Sequence, residues 1–273
     1  ELNVDGATRL NVKTAGGFIR VEGKRGSTAE VRVFVRRRGN YLTKEDTDLD
    51  GWKLEIEQNG DELRVIAERE GTWNWNNRSP NVSFVVILPP ETESDLRTSG
   101  GSITLKNLQG NQTARTSGGS ITAENIRGNT EVKTSGGRIE ASNIGGNLIA
   151  GTSGGTITVA SVEGNVEART SGGSIDLQKV SGNVNGRTSG GSIRVALSEL
   201  ADLVDLSTSG GSIRITVPDG SGLDLKLRGG SVKTDLQNFN GSSKRNRVEG
   251  SVNGGGTRIE ARTSGGTVRL DYS

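Results

Sequence analysis

The chain has 273 residues, of which 30% are hydrophobic and only 3% aromatic, with a formal net charge of +2. Forty-two glycines lift the apolar-plus-glycine share toward the globular range, so a fold around a thin core of small aliphatic side chains is expected. Cysteine, methionine and histidine are absent, which excludes disulfides, thiol nucleophiles and the commonest soft metal ligands.

The first stretch, residues 1–96, reads as β-rich but irregular. Val31-Arg32-Val33-Phe34-Val35 alternates as a half-buried strand does, and so do Leu54-Glu55-Ile56 and Leu63-Arg64-Val65. Residues 39–51 and 71–80 read as loops, the second holding Trp73 and Trp75. An apolar strand over 82–88 then stops at Pro89-Pro90. Thr14-Ala15-Gly16-Gly17-Phe18-Ile19 is an outlying relative of the repeat that follows, so this region is expected to supply first coils and a cap.

From residue 97 to 273 the sequence repeats. Thr-Ser-Gly-Gly ends at Gly101, Gly119, Gly137, Gly155, Gly173 and Gly191, each 18 residues apart. It returns at Gly211, then as Arg-Gly-Gly ending at Gly230, and again at Gly266. Within a unit, Ile103 and Leu105, or Val166, Ala168 and Thr170, alternate with polar neighbours. Each unit is therefore two short strands joined by turns, and nothing recurs at the helical period.

One unit has no partner for its inner face, but stacked units do, because each strand pairs with its copy about 4.8 Å away. The predicted fold is all-β: a single-stranded β-helix or β-solenoid with coils of about 18 residues and a flattened cross-section. Ile103, Ile121, Ile139, Ile157, Ile175, Ile193 and Ile213 should form one internal ladder. The corner glycines are expected at positive φ. Asn111, Asn129, Asn147, Asn165 and Asn183 should stack as a corner amide ladder. The turns lack the aspartates of calcium-binding rolls and the strand-to-helix lysine of a phosphate loop.

The tandem Thr-Ser-Gly-Gly-Ser-Ile units resemble the bacterial putative-adhesin family of β-strand-repeat, envelope-associated domains of unknown function. The string 59–65, the Trp loop and Val252-Asn253-Gly254-Gly255-Gly256 are similar to it too. The resemblance covers nearly the whole chain and implies an extracytoplasmic β-helix: secreted, periplasmic or at the cell surface. It brings no catalytic residues. The missing initiator Met and the start at Glu1 fit a mature form whose leader has been removed.

Three sets of residues are candidates for function. Arg97, Arg115, Lys133, Arg169, Arg187 and Arg262 each precede Thr-Ser-Gly-Gly and should stack into an outward basic stripe, suited to an anionic envelope polysaccharide. Glu131 and Glu167, two positions earlier, offset part of the charge of Lys133 and Arg169. Trp73 and Trp75 would share a strand face, fit for sugar rings or an interface. Leu2 and Val4 at one end, with Val268 and Leu270 at the other, lie on terminal strand patterns whose edges could pair end to end into a homo-oligomer or filament. Asp176, Glu140 and Glu124 point outward without clustering, so no enzyme is expected. No cofactor, metal, nucleic acid or transmembrane segment is expected either. The leading expectation is a structural, adhesion-type envelope protein; the other is a glycan-binding module using the basic stripe.

Overall fold

The computed structural model describes residues 8–43, 45, 49, 51–69 and 80–273. All regular structure among them is β. The chain forms two compact units, 1–134 and 135–273. Each unit is a β-solenoid, in which a coil gives one strand to each of two mainly parallel sheets.

In the first unit one sheet runs Trp52–Asn59, Glu62–Arg69, Arg9–Thr14, Glu93–Thr98, Gln112–Thr116 and Thr130–Lys133 in spatial order. The other runs Asn40–Tyr41, Glu30–Arg37, Asn81–Leu88, Ile19–Gly23, Ile103–Gln109 and Ile121–Arg127. Antiparallel pairing is confined to the outer strands, where 52–59 folds against 62–69 and 30–37 lies between 40–41 and 81–88.

In the second unit one sheet runs Leu148–Gly151, Val166–Arg169, Val184–Arg187, Leu203–Thr208, Thr257–Thr263, Leu223–Arg228, Arg247–Val252 and Phe239–Lys244. The other runs Ile139–Ile144, Ile157–Val162, Ile175–Val180, Ile193–Leu197, Ile213–Val217, Thr267–Tyr272 and Ser231–Thr234.

The isoleucine ladder is present in both units. Ile103 and Ile121 pair in register in the first, and Ile139, Ile157, Ile175, Ile193 and Ile213 in the second, all buried. Each such side chain removed from water contributes about 1.5–3 kcal/mol. Gly186 is an inward exception: a Cβ there would stand 2.9 Å from Leu206 Cδ2, so the next coil's larger side chain fills its space.

Alternation alone does not explain the inward set, because Ile103, Leu105 and Leu108 are all buried. The step of three is made by Asn107, whose φ is 57°. A left-handed residue in mid-strand reverses the pleat, so Leu108 turns inward after Leu105. Asn125 does the same in the next coil, and Asn143, Ser161 and Lys179 repeat it in the second unit, with φ between 53° and 64°.

The expectation of positive φ at the corner glycines holds at Gly110, with φ of 100°, and Gly128, with φ of 155°, but not at the Thr-Ser-Gly-Gly corner. None of the Thr-Ser-Gly-Gly glycines lies in the left-handed region. The second glycine is required by close approach instead: a Cβ on Gly119 would meet the Gly101 carbonyl oxygen at 2.0 Å. The first glycine is less constrained, since a Cβ on Gly118 would make only ordinary contacts at 3.6–3.8 Å.

Threonine supplies the other half of the corner. Thr116 Oγ1 donates to the Gly101 carbonyl of the preceding coil at 2.9 Å and accepts from its own Gly119 N–H at 3.3 Å. The same pair of bonds recurs at Thr152, Thr170, Thr188, Thr208 and Thr263 in the second unit. A buried hydroxyl that both donates and accepts stays satisfied, so the seam adds specificity without an orphaned polar group. At the next corner, Asn147 Oδ1 accepts from the Asn165 N–H, and Asn165 Oδ1 from the Asn183 N–H, both at 2.9 Å. The second-unit part of the expected asparagine ladder, Asn147, Asn165 and Asn183, is therefore formed through side chain to backbone bonds, whereas Asn111 in the first unit donates to Glu93 at 3.0 Å.

Chain order and spatial order part company in both units. In the first, the coil over 9–23 lies between the coil over 93–109 and the strands 62–69 and 81–88. In the second, the last coil, 257–272, is threaded between 203–217 and 223–234. Beyond it the hairpin 239–252 continues the sheet, antiparallel to 223–228.

Candidate functional site

The basic row forms, and its register can be followed strand by strand. In the first unit Lys13, Arg97, Arg115 and Lys133 occupy equivalent positions on adjacent strands. Inward neighbours fix their direction: Leu96, Ala114 and Val132 are buried, as are Thr98, Thr116 and Thr134, which leaves the bases outside. Lys13 was not found from the repeat because its corner reads Thr-Ala-Gly-Gly.

Each of these bases has a carboxylate beside it. Lys13 Nζ is 2.5 Å from Glu68, and Arg97 makes a two-pronged bond to Asp95 at 2.8 and 3.0 Å. Glu131 takes both Arg115 and Lys133 at 2.7 Å. Hydrogen bonds from Lys133 and then Arg115 hold the Glu131 carboxyl below the usual carboxylate range. The bond from Lys13 does the same to Glu68, and Asp95 raises Arg97.

In the second unit Arg169 pairs with Glu167 at 2.9 Å. Arg187 and Arg262 flank Asp205 at 2.7 and 3.6 Å. The six bases singled out from the repeat are thus half of a charge lattice, in which rows of bases and rows of acids alternate across the outer face. Such exposed pairs each contribute about 0–1 kcal/mol.

The second unit carries this row further than the repeat reveals. Arg262 is in register with Arg228, Arg228 with Arg247, and Arg247 with Lys244. Arg228 opens the Arg-Gly-Gly corner, which lacks Thr-Ser, and the hairpin brings in Arg247 and Lys244 by antiparallel pairing. Residues 240–246, polar and basic, belong to the outer strand and tip of that hairpin.

Val268 and Leu270 were expected on an open terminal strand, and the structure corrects this. Both are buried, and their strand is paired on one side with 213–217 and on the other with 231–234. The physical reason is the threaded last coil, which places the final strand inside the sheet. Leu2, Val4, Trp73 and Trp75 lie outside the described residues.

Another aromatic group is visible. The rings of Phe18 and Phe34, and of Phe34 and Tyr41, are 6.1 Å apart, and the Arg36 guanidinium stands 5.9 Å from the Tyr41 centroid. Among the described residues no group of three or more acidic side chains is placed to hold a metal ion. Beside Tyr272 is an open depression of about 480 Å³, lined by Lys233, Asp235, Arg269 and Asp271. Burial, then Asp235 and Asp219, push the Tyr272 hydroxyl up. No helix among the described residues is long and apolar enough to cross a membrane.

Comparison with solved structures finds proteins of the same overall extent at low identity. One, described as a putative lipid binding protein of Parabacteroides distasonis, is 16% identical, with a TM-score of 0.49, covering 100% of this chain and 94% of that one. A putative adhesin of Bacteroides fragilis is 10% identical, with a TM-score of 0.32 and coverage of 100% and 94%. A putative cell adhesion protein of Clostridium sporogenes is 10% identical, with a TM-score of 0.23 and coverage of 99% and 95%. No curated protein matches the chain. The family described as Toastrack DUF4097 matches residues 7–271, nearly the whole length, and the chain belongs to that family.

Proposed function

We propose that this chain is a non-enzymatic, extracytoplasmic structural protein of adhesion type, whose stacked coils hold broad, charge-patterned β faces outward. The observation that carries this reading is the repeated corner seam. One hydroxyl, one carbonyl and one glycine amide lock each coil to the one before it, coil after coil. A structure tied in the same way at most of its steps is stiff and presents its outer rows at fixed spacing. Chemistry on a substrate needs instead a concave site with convergent groups. End-to-end joining through Val268 and Leu270 has no place in this role, because their strand has neighbours on both sides.

The test is protease shaving of intact producing cells, followed by co-sedimentation of the purified chain with their isolated envelopes. Removal of the chain from intact cells and its recovery with the envelope are expected. Recovery only from the cytoplasmic fraction would overturn the proposal.

A further inference from the structure

The charge lattice is uneven along the second unit. Residues 135–222 hold six Lys and Arg against eight Asp and Glu, whereas 223–273 hold nine against five. The excess is gathered on one surface, the outer face of strands 257–263, 223–228, 247–252 and 239–244. Buried Leu223, Leu225, Leu227, Val248, Val252, Ile259 and Ala261 fill the inner face of these strands, so the residues between them point outward.

Three rows cross this face. Arg262, Arg228, Arg247 and Lys244 form the first, and Glu260, Lys226, Glu249 and Ser242 the second. Arg258, Asp224, Ser251 and Asn240 form the third. The first row is an unbroken line of four bases, and Arg245 at the hairpin tip adds a fifth. Acids reach only part of it: Arg247 bonds Glu249, and Arg262 stands 3.6 Å from Asp205. Arg228, Lys244 and Arg245 are exposed and have no ion-pair partner among the described residues.

Like charges directly opposite one another destabilise strand pairing. Here three consecutive pairs, Arg262 with Arg228, Arg228 with Arg247, and Arg247 with Lys244, are all like-charged. The hairpin is nevertheless anchored in this register. The Gly229 and Val232 N–H groups donate to the Asn246 and Arg245 carbonyls at 3.1 and 2.8 Å, and Phe239 packs over the Gly241–Gly250 pair. A line of bases that acids offset only in part, Glu249 beside Arg247 and Arg228 and Asp205 near Arg262, is held on this sheet with positive charge left over for an anion.

We infer that this face binds a linear anionic glycan, laid across the strands with its carboxylates along the Arg262–Arg228–Arg247–Lys244 row. The spacing favours this class of ligand. Neighbouring strands are about 4.8 Å apart, close to the rise of one sugar in an extended uronate chain. The polar Asn240 and Ser242 on the same face supply partners for sugar hydroxyls, while Ser251 donates to Asp224 at 2.7 Å. Single-stranded nucleic acid would call for aromatic stacking platforms, and the twelve positions of the three rows include none. The inference goes beyond the structural role proposed above and stands or falls separately from it.

The experiment is calorimetric titration of the full chain with polygalacturonate oligomers at several salt concentrations. Dextran serves as the neutral control and a single-stranded oligonucleotide as the nucleic-acid control. Binding that weakens at least tenfold between low and physiological salt is expected, with no binding of dextran. The variant R228S/K244S/R247S should lose at least tenfold in affinity while keeping its β-sheet circular dichroism. R97S/R115S, whose bases already have acids beside them, should change affinity less than twofold. Should the triple variant fold poorly, the exposed tip pair K244S/R245S gives the same reading, with a loss of at least threefold. No binding of polygalacturonate, equal binding of dextran, tighter binding of the oligonucleotide, or an unchanged affinity in the hairpin variants would overturn the inference. None of those results would bear on whether the chain resides at the envelope.

Discussion

A Cβ on Gly119 would stand 2.0 Å from the carbonyl oxygen of Gly101, one coil below, whereas a Cβ on the adjacent Gly118 would find only ordinary contacts. Two glycines side by side in one motif are therefore under different constraints. Gly119→Ala must push apart two backbones that are bonded through Thr116, and is expected to cost more than about 3 kcal/mol. Gly118→Ala should lie within about 1 kcal/mol of the wild type. Urea unfolding of the two variants separates them, and equal effects would contradict the close-approach explanation.

Thr116→Val keeps the shape of the side chain and removes the hydroxyl that joins Gly101 to Gly119. The half-buried Gly101 carbonyl and Gly119 amide lose a partner, so a loss of about 1–2 kcal/mol is expected. Ser117 lies next to it but is exposed, and Ser117→Ala should be nearly silent. The same unfolding measurement checks both.

Lys179 holds φ at 53° in mid-strand with its side chain exposed. Glycine reaches that conformation without a Cβ penalty, so Lys179→Gly should stabilise the fold by up to about 1 kcal/mol. A destabilising result would show that the side chain's packing, rather than the left-handed backbone, dominates there.

The acid response has a defined sign. Lys133 and Arg115 depress the Glu131 carboxyl in the folded state. Its stabilising contribution is therefore present above the unfolded glutamate value of about 4.3 and is lost as pH falls through the lower, folded value. Glu131→Gln should remove part of the stability difference between pH 7 and pH 3, by less than about 1 kcal/mol, and the effect should shrink in high salt. Thermal unfolding across that pH range checks the direction.

The repeated coils were legible in the sequence because one period carries both the strand alternation and the corner. Ile103 and its copies, the inward threonines and the asparagine ladder all follow from it. The left-handed residues were not, because Asn107, Asn125, Asn143, Ser161 and Lys179 occupy a position where residue type varies and only backbone geometry recurs. The glycine corner was placed correctly but for the wrong physical reason, since sequence does not distinguish a need for positive φ from a need for close approach.

The threading of the last coil was hidden for a different reason. Pairing of 203–208 with 257–263 passes over an entire intervening coil and hairpin, and pattern along the chain says nothing of which strands meet. The 36-residue gap before the last Thr-Ser-Gly-Gly marked the place without showing the exchange. The basic face was hidden too, because Arg228, Arg247 and Lys244 come into line with Arg262 only through the pairing of 223–228 with 257–263 and through the hairpin.

Amide hydrogen exchange of the chain in dilute solution tests the threaded solenoid most directly. The account predicts that amides of strand 267–272 exchange as slowly as those of 213–217, and far more slowly than those of the outer strand 239–244. Rapid exchange across 267–272 would contradict it, by placing the final strand at an open edge.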